Sequence, residues 1–284
     1  MRGCMIYERG NVARNSRYIE LFACSAKRRG VSLEVLNTDE ISYGLMNGAP
    51  FLHFKGEPYR ADFVLMRCMR PLLSAHLESM GVPVFNNARV SALCNDKRAT
   101  ARHFAARSLP FVATAFADDA CRAQPFSYPV VVKAACGCGG RQVYLCANDA
   151  EYGRAFDQIR PDAAVVQPFL NAGGRDVRLY MLGGKLRAAM ERYSDGADFR
   201  SNFGLNGKAR PYFPDAALET LAGRAIDGLD AGLVGVDFLF DEKGGVYLNE
   251  IEDAVGTRML YQYTKIDIVD EYMEWIMAKI QAKQ

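Results

Sequence analysis

Asp237 stands inside the apolar stretch GVDFLF, and Glu250 and Glu252 stand two apart in VYLNEIEDAVG. Residues two apart on a strand share a face. A hairpin over 233–241 and 244–252 would set Asp237 beside that pair. Three carboxylates among apolar neighbours repel one another and are poorly solvated, which cations relieve. An all-oxygen set suits magnesium bound together with phosphate. Two other arrangements share this spacing: each carboxylate pairs with an arginine, or the register sets them apart.

Lys133 closes the apolar run of PVVVK. Gly137, Gly139 and Gly140 follow, and the chain returns through Val143-Tyr144-Leu145. A lysine at a buried strand end has to reach solvent or an anion. Glycines leave backbone N–H groups free to approach phosphate closely. This is not the G-x-x-x-x-G-K-[ST] loop, in which the lysine follows the glycines and a helix comes next. Here the lysine comes first and a strand follows, so the segment reads as a flap between two strands. An ordinary glycine-rich hairpin with an exposed lysine carries the same signature.

The elements that must hold these groups alternate. Strands are expected at 4–7, 32–36, 61–67 and 82–86, with helices at 13–28 and 71–81, which predicts a parallel sheet with helices packed on it. No G-x-G-x-x-G occurs there, so a dinucleotide site has no support. Residues 88–107 read as helical by their period. Strands are expected within 109–117, 128–134 and 142–147, then a helix over 149–159 capped by Asp149. Residues 164–170 read as a strand whose proline marks an edge or the end of pairing. Residues 176–194 read as a hairpin turning at Gly183-Gly184. A long polar loop at 197–215, a helix at 215–231, the 233–252 hairpin and a closing helix at 266–283 complete the chain.

The chain has 284 residues, half of them hydrophobic, with a net charge of +2. That is enough for a large core, and no bulk attraction to nucleic acid or membrane is expected. The N-terminus lacks the long apolar segment of a secretory signal, and no run approaches a membrane helix. The eight cysteines include no C-x-x-C, and the three histidines fall in no ligand spacing. Reduced cytosolic thiols are expected, with no zinc site or disulfide set.

The ordered set NDKRAT (95–100), PVVVKAACGCGGRQVYL (129–145), VVQPFL (165–170), RDVRLYMLGGKLRAAMERY (175–193), DFRSN (198–202), GVDFLF (235–240) and LNEIEDAVG (248–256) resembles the ATP-grasp superfamily. It is most similar to the RimK-type carboxylate–amine ligases. The resemblance spans roughly residues 80 to 275 by motif; the first 80 fit the family's N-terminal domain by pattern alone. It implies an α/β (α+β) ATP-grasp fold: a Rossmann-like N-terminal domain over 1–86, then an ATP-grasp domain over 87–284 whose smaller, flap-bearing part spans about 108–170.

The resemblance also implies roles. Lys97 and Lys133 match the lysines that contact ATP phosphates, and Gly137, Gly139 and Gly140 match the mobile cover over the triphosphate. Gln167, Phe169 and Leu170 match the adenine-holding hinge, and Asp176 matches an acidic residue near the nucleotide. Arg178 and Arg192 match arginines near the γ-phosphate and the reacting carboxylate, and Asn202 matches an asparagine near phosphates and metal. Asp237, Glu250 and Glu252 match the ligands of two magnesium ions, for which manganese can substitute. The implied reaction makes an acylphosphate from a substrate carboxylate, which an amine then converts to an amide.

The chain departs from the family's E-x-N with Glu250-Ile251-Glu252, and from A-S-P-G with Asp253-Ala254-Val255-Gly256. Both leave the acceptor open. Cys136 and Cys138 stand in the flap where polar residues are commoner; they read as small residues, with a redox role as the alternative. Arg178, Arg192, Arg200 and Arg258 could leave positive charge beyond what ATP needs, which favours an acidic amino acid such as glutamate. The expected partners are small-molecule or peptide carboxylates and amines, not nucleic acid or membrane, and a homo-oligomer stays open. Other acceptors, as in peptide-modifying or dipeptide ligases, are the nearest alternative, and a non-catalytic ATP-binding module is the next. The stretch Arg67 to Arg70, at a strand end, either touches substrate or is solvated.

Overall fold

The computed structural model describes residues 1–137, 142–171, 173–194 and 208–282. Strand β1 (Arg2–Tyr7) leads through helices α1 (Arg9–Val12) and α2 (Ser16–Arg28) to β2 (Ser32–Asn37). An antiparallel meander follows, β3 (Ile41–Met46), β4 (Ala49–Phe54) and β5 (Glu57–Pro58). Then come β6 (Phe63–Met66), α3 (Pro71–Ser79) and β7 (Val84–Phe85). The parallel sheet runs β2-β1-β6-β7, so the connectivity reverses between β1 and β6. The parallel sheet is as expected, whereas the meander had no counterpart in the sequence reading.

The helical stretch expected over 88–107 forms as two helices, α4 (Ala88–Cys94) and α5 (Lys97–Ala106). The break has a local cause. Asp96 turns its carboxylate onto the Arg98 N–H and caps α5, so the chain cannot run through. The Lys97 N–H meanwhile donates to the Ala135 carbonyl at 2.9 Å, which ties this helix start to the strand carrying Lys133.

A small antiparallel sheet follows, built from β8 (Ala115–Ala117), β9 (Val130–Ala134), β10 (Val143–Cys146) and β11 (Ala164–Pro168) in the order β10-β9-β11-β8. Helix α6 (Asp149–Ile159) covers one face, and Val130, Val132, Ala134 and Val166 pack with its Phe156 and Ile159. The cap of α6 is Asn148, one residue before the expected Asp149: the Asn148 side chain accepts the Glu151 N–H. Strand β11 is internal, and its pairing with β9 ends at Pro168, which has no N–H to give.

The large antiparallel sheet comprises β12 (Arg175–Leu182), β13 (Lys185–Tyr193), β14 (Lys208–Pro211), β15 (Leu233–Phe240) and β16 (Val246–Glu252), in the order β14-β13-β12-β15-β16. Both expected hairpins form. Strand β14 lies in the region read as a loop, and residues 197–207 of that region fall outside the described residues. Helix α7 (Ala216–Ile226) is shorter than expected, and α8 (Arg258–Tyr263) precedes α9 (Ile268–Gln281).

Helix α9 buries Ile268, Tyr272, Met273, Ile276 and Ile280, a stripe at helical spacing. The stripe lies in one core cluster with Met5, Phe22, Phe63 and Leu65 of the N-terminal sheet and Tyr180, Met190 and Leu233 of the large sheet. At one border of this cluster the Asp270 carboxylate accepts from Ser25, Arg28 and Arg29, each at 2.6 Å. Those hydrogen bonds, Arg29 first, hold the Asp270 carboxyl well below its ordinary range. A depressed folded-state pKa contributes stability that is present above the unfolded value, near 4, and is lost as pH falls. Asp270→Asn is therefore expected to lower stability by about 1–2 kcal/mol at pH 7. The gap to the unaltered protein should close as denaturation is followed below about pH 3.

The β12–β13 turn needs glycine. Gly183 has φ +56, and a Cβ there would lie 2.2 Å from Trp275 Nε1. Gly183→Ala is expected to destabilise by about 1–3 kcal/mol, through backbone strain and displacement of the indole. Trp275 is the single tryptophan, so its emission reports the displacement directly.

Candidate active site

The period of two along each strand sorts the side chains of the small sheet. Val130, Val132 and Val166 enter its core, while Val131, Lys133, Val165 and Gln167 turn to the other face. That face looks across a narrow cleft lined by Lys97, Phe104, Phe111, Val112, Thr114, Lys133, Gln167, Leu248, Asn249 and Glu250. Lys133 reaches over the cleft, its Nζ donating to Asn249 Oδ1 at 3.1 Å. Burial, with Lys97 nearby, pushes the Lys133 ammonium down to about 8 against the pull of Glu250. Lys97 Nζ donates to the Gly137 carbonyl at 2.6 Å, at the start of the glycine segment. Gln167 Nε2 donates to Thr114 Oγ1 at 2.9 Å. Phe169 and Leu170 are half-buried just beyond β11, where the chain leaves the small sheet.

Asn249 owes its place to a bulge. Asp237 lies opposite Glu250 and Phe238 opposite Leu248, so Asn249 is the extra residue on β16. It was not singled out in the sequence, where it reads as one more polar residue before the acidic pair. Residues 110–112 lie along the same strand: the Val112 N–H donates to the Leu248 carbonyl, and the Leu248 N–H donates to that of Pro110.

The acidic strands carry a buried charge network. Arg178 lies opposite Asp237, and Asp176 opposite Arg192. Arg178 binds both oxygens of Asp237 at 2.7 Å and also binds Glu252. Arg192 donates to Asp237 Oδ2 at 2.6 Å and pairs with Asp176. Asp237 is fully buried, and Arg178 and Arg192 are nearly so. Burial alone would raise its carboxyl, but the two arginines hold it down to about 2. Burial dominates at Asp176 and Glu252 and pushes both up. Glu250 makes no hydrogen bond or ion pair among the described residues, and it faces the cleft.

Asp237, Glu250 and Glu252 thus come together on neighbouring strands, but Arg178 bridges Asp237 to Glu252 and Arg192 bridges it to Asp176. No group of three His, Cys, Asp or Glu side chains is arranged to hold an ion among the described residues. The donor chemistry suits magnesium nonetheless: hard carboxylate oxygens, with Glu250 open to the cleft.

Gly139, Gly140, Arg141, Cys138, Arg200 and Asn202 lie outside the described residues. Arg258 is exposed at the start of α8. Cys136 is exposed, and burial around its sulfur, with Asp96 nearby, pushes its thiol up, opposite to what a reactive thiolate needs. The described cysteines are free, and no described helix is long and apolar enough to cross a membrane.

The model of the RimK-like ATP-grasp domain matches residues 112–276. A probable alpha-L-glutamate ligase from Sodalis glossinidius (strain morsitans) is 26% identical over 285 residues, which is 93% of this chain and 96% of the relative. Of two longer relatives with the same name, the chain spans 62% and 60%. The RimK domain ATP-grasp protein from Sphaerobacter thermophilus superposes with a TM-score of 0.70 at 23% identity, covering 96% of both chains. The ATP-grasp ligase PsnB, complexed with a phosphomimetic variant of its minimal precursor, Mg and ADP, gives a TM-score of 0.70 at 16% identity, covering 98% of both chains.

Proposed function

The chain belongs to the RimK-like ATP-grasp family and is an ATP-dependent ligase; we propose that it joins a carboxylate to the amine of an acidic amino acid, with glutamate first. The observation that carries this reading is the cleft. A half-buried lysine with a depressed pKa faces an open carboxylate, with a buried arginine–carboxylate network directly behind. Such a site is short of anions on one wall and of cations on the other, and a metal-bound triphosphate supplies both.

In this reading Lys97 and Lys133 hold the phosphates, Gly137, Gly139 and Gly140 cover them, and Gln167, Phe169 and Leu170 hold adenine. Asp237, Glu250 and Glu252 would hold two magnesium ions, or manganese in their place, which would supply positive charge against the phosphate oxygens. Arg178 and Arg192 then exchange Asp237 for the γ-phosphate and the reacting carboxylate, with Asp176 keeping Arg192 in place and Asn202 near the phosphates. A carboxylate oxygen bonds to the γ-phosphorus and ADP leaves. The amine nitrogen then bonds to the acyl carbon, and phosphate leaves as the nitrogen gives up its proton. The chain's part is positioning and charge. Residues 1–86 form the substrate-side unit and 87–284 the nucleotide unit, with 108–170 bearing the flap. The free thiols support a cytoplasmic setting.

The test is phosphate release from ATP and Mg²⁺ with paired amino acids and short acidic peptides, with Glu250→Ala run alongside. Release that needs one carboxylate and one amine, and falls at least about 100-fold in the variant, is expected. Tight ATP binding without release for any pair would overturn the small-substrate reading.

A further inference from the structure

Strand β3 is the outer strand of the meander, in the order β3-β4-β5, and the Asn47-Gly48 turn joins it to β4. The register fixes which of its backbone groups are already used. The Lys55 N–H donates to the Glu40 carbonyl at 2.9 Å, so by the antiparallel alternation Ser42, Gly44 and Met46 bond β4. The N–H and C=O groups of Tyr43 and Leu45 point the other way, where no strand among the described residues pairs with them.

Natural sheets blunt such edges with charge, proline or a covering element. Here no Asp, Glu, Lys or Arg occurs from Ile41 to Phe54, and β3 has no proline. Leu45 is 76% exposed and Met46 55%. Beside the strand, the His76 ring of α3 lies 5.1 Å from that of Tyr43. Leu72, one helical turn earlier and 72% exposed, extends the same apolar flank. A row of unpaired backbone groups with apolar side chains beside it fits another extended strand.

The strand complements itself. When two copies of β3 pair antiparallel about Gly44, Tyr43 of each lies opposite Leu45 of the other. Every outward N–H and C=O of these residues then has a partner, and each tyrosine ring meets a leucine across the strands. Gly44, at the axis, has no side chain to collide with its own copy. The twofold sets both α3 helices, with Leu72, on one face of the joined sheet. An uncharged strand brings no repulsion between copies and has nothing to select an acidic or basic partner.

We propose that β3 is the contact of a twofold homodimer, in which two copies pair this strand with itself into one six-stranded sheet. The contact is small, so a Kd of about 1–100 µM is expected. It involves no residue of the cleft and does not rest on the ligase reading.

The test is sedimentation of the full chain from about 1 to 200 µM, with amide hydrogen exchange at both ends of that range. A reversible monomer–dimer change is expected, with slower exchange at Tyr43 and Leu45 in the concentrated sample. Leu45→Lys alters an exposed side chain, so it should keep the thermal stability and weaken dimerisation at least about 10-fold. Phe213→Lys, at an apolar side chain 91% exposed outside the meander, should leave dimerisation unchanged. A monomer throughout the range overturns the proposal. So does a dimer that Leu45→Lys leaves intact, or one in which Tyr43 and Leu45 exchange as fast as in the monomer, since either places the contact elsewhere. Equal loss in the two lysine variants also overturns it, because it would mark unspecific apolar association.

Discussion

Lys133→Met is expected to lower kcat/KM for ATP turnover by about 10²–10³-fold without destabilising the fold. The two readouts separate because the lysine is held in an unfavourable place. Its ammonium titrates near 8 in the folded protein, below the ordinary lysine value, because burial penalises the charge. Between those two values the unfolded chain binds more protons than the folded one, so stability rises with pH across that window. At neutral pH the charge thus works against folding, and methionine, which keeps the stem, removes the penalty. Thermal denaturation at pH 7 should show a higher Tm, for a stability gain of about 1 kcal/mol or more. A variant that unfolds early would show that Lys133 mainly braces the cleft through Asn249.

Asp237→Asn should act the opposite way, on stability and activity together. Asp237 is fully buried between Arg178 and Arg192, and three hydrogen bonds of 2.6–2.7 Å end on its oxygens. The amide is nearly isosteric but offers one acceptor and no charge. Two guanidiniums then stay buried with too little to balance them, a loss of about 3–5 kcal/mol. Urea denaturation measures it, and phosphate release should fall below detection. A stability loss under about 1 kcal/mol would mean the arginines find other partners, Asp176 and Glu252 being in reach.

What the sequence made legible was the ordered set of strands with their charged ends. Lys133 sits where an apolar run must meet an anion, and the alternation of β9 and β11 puts Gln167 on the same face. Asp237 beside Glu250 followed from hairpin logic, and the register agrees. What stayed hidden was long-range or lay in single residues. The choice between metal and arginine at the acidic strands depends on which strand neighbours β15, and β12 brings Arg178 there from 59 residues away. The β3–β4–β5 meander has its own turn signals, Asn47-Gly48 and Lys55-Gly56, all four at positive φ, but the surrounding runs do not alternate cleanly enough to mark strands. The break between α4 and α5 hung on whether Asp96 capped a new helix or rode along an old one.

The bulge on β16 makes the small sheet and the acidic strand a single mechanical linkage. Asn249 takes the hydrogen bond from Lys133, and its neighbours on either side are Leu248, clasped by residues 110–112, and Glu250, which faces the cleft. A displacement of β9 relative to β16 therefore acts through Asn249 on the strand that bears Glu250 and Glu252. In the proposed roles, a nucleotide whose phosphates take the Lys133 ammonium draws it away from Asn249. On that reading, moving β9 and loosening the carboxylate wall are one event, and so are their reversals, so that the two walls of the cleft would assemble together.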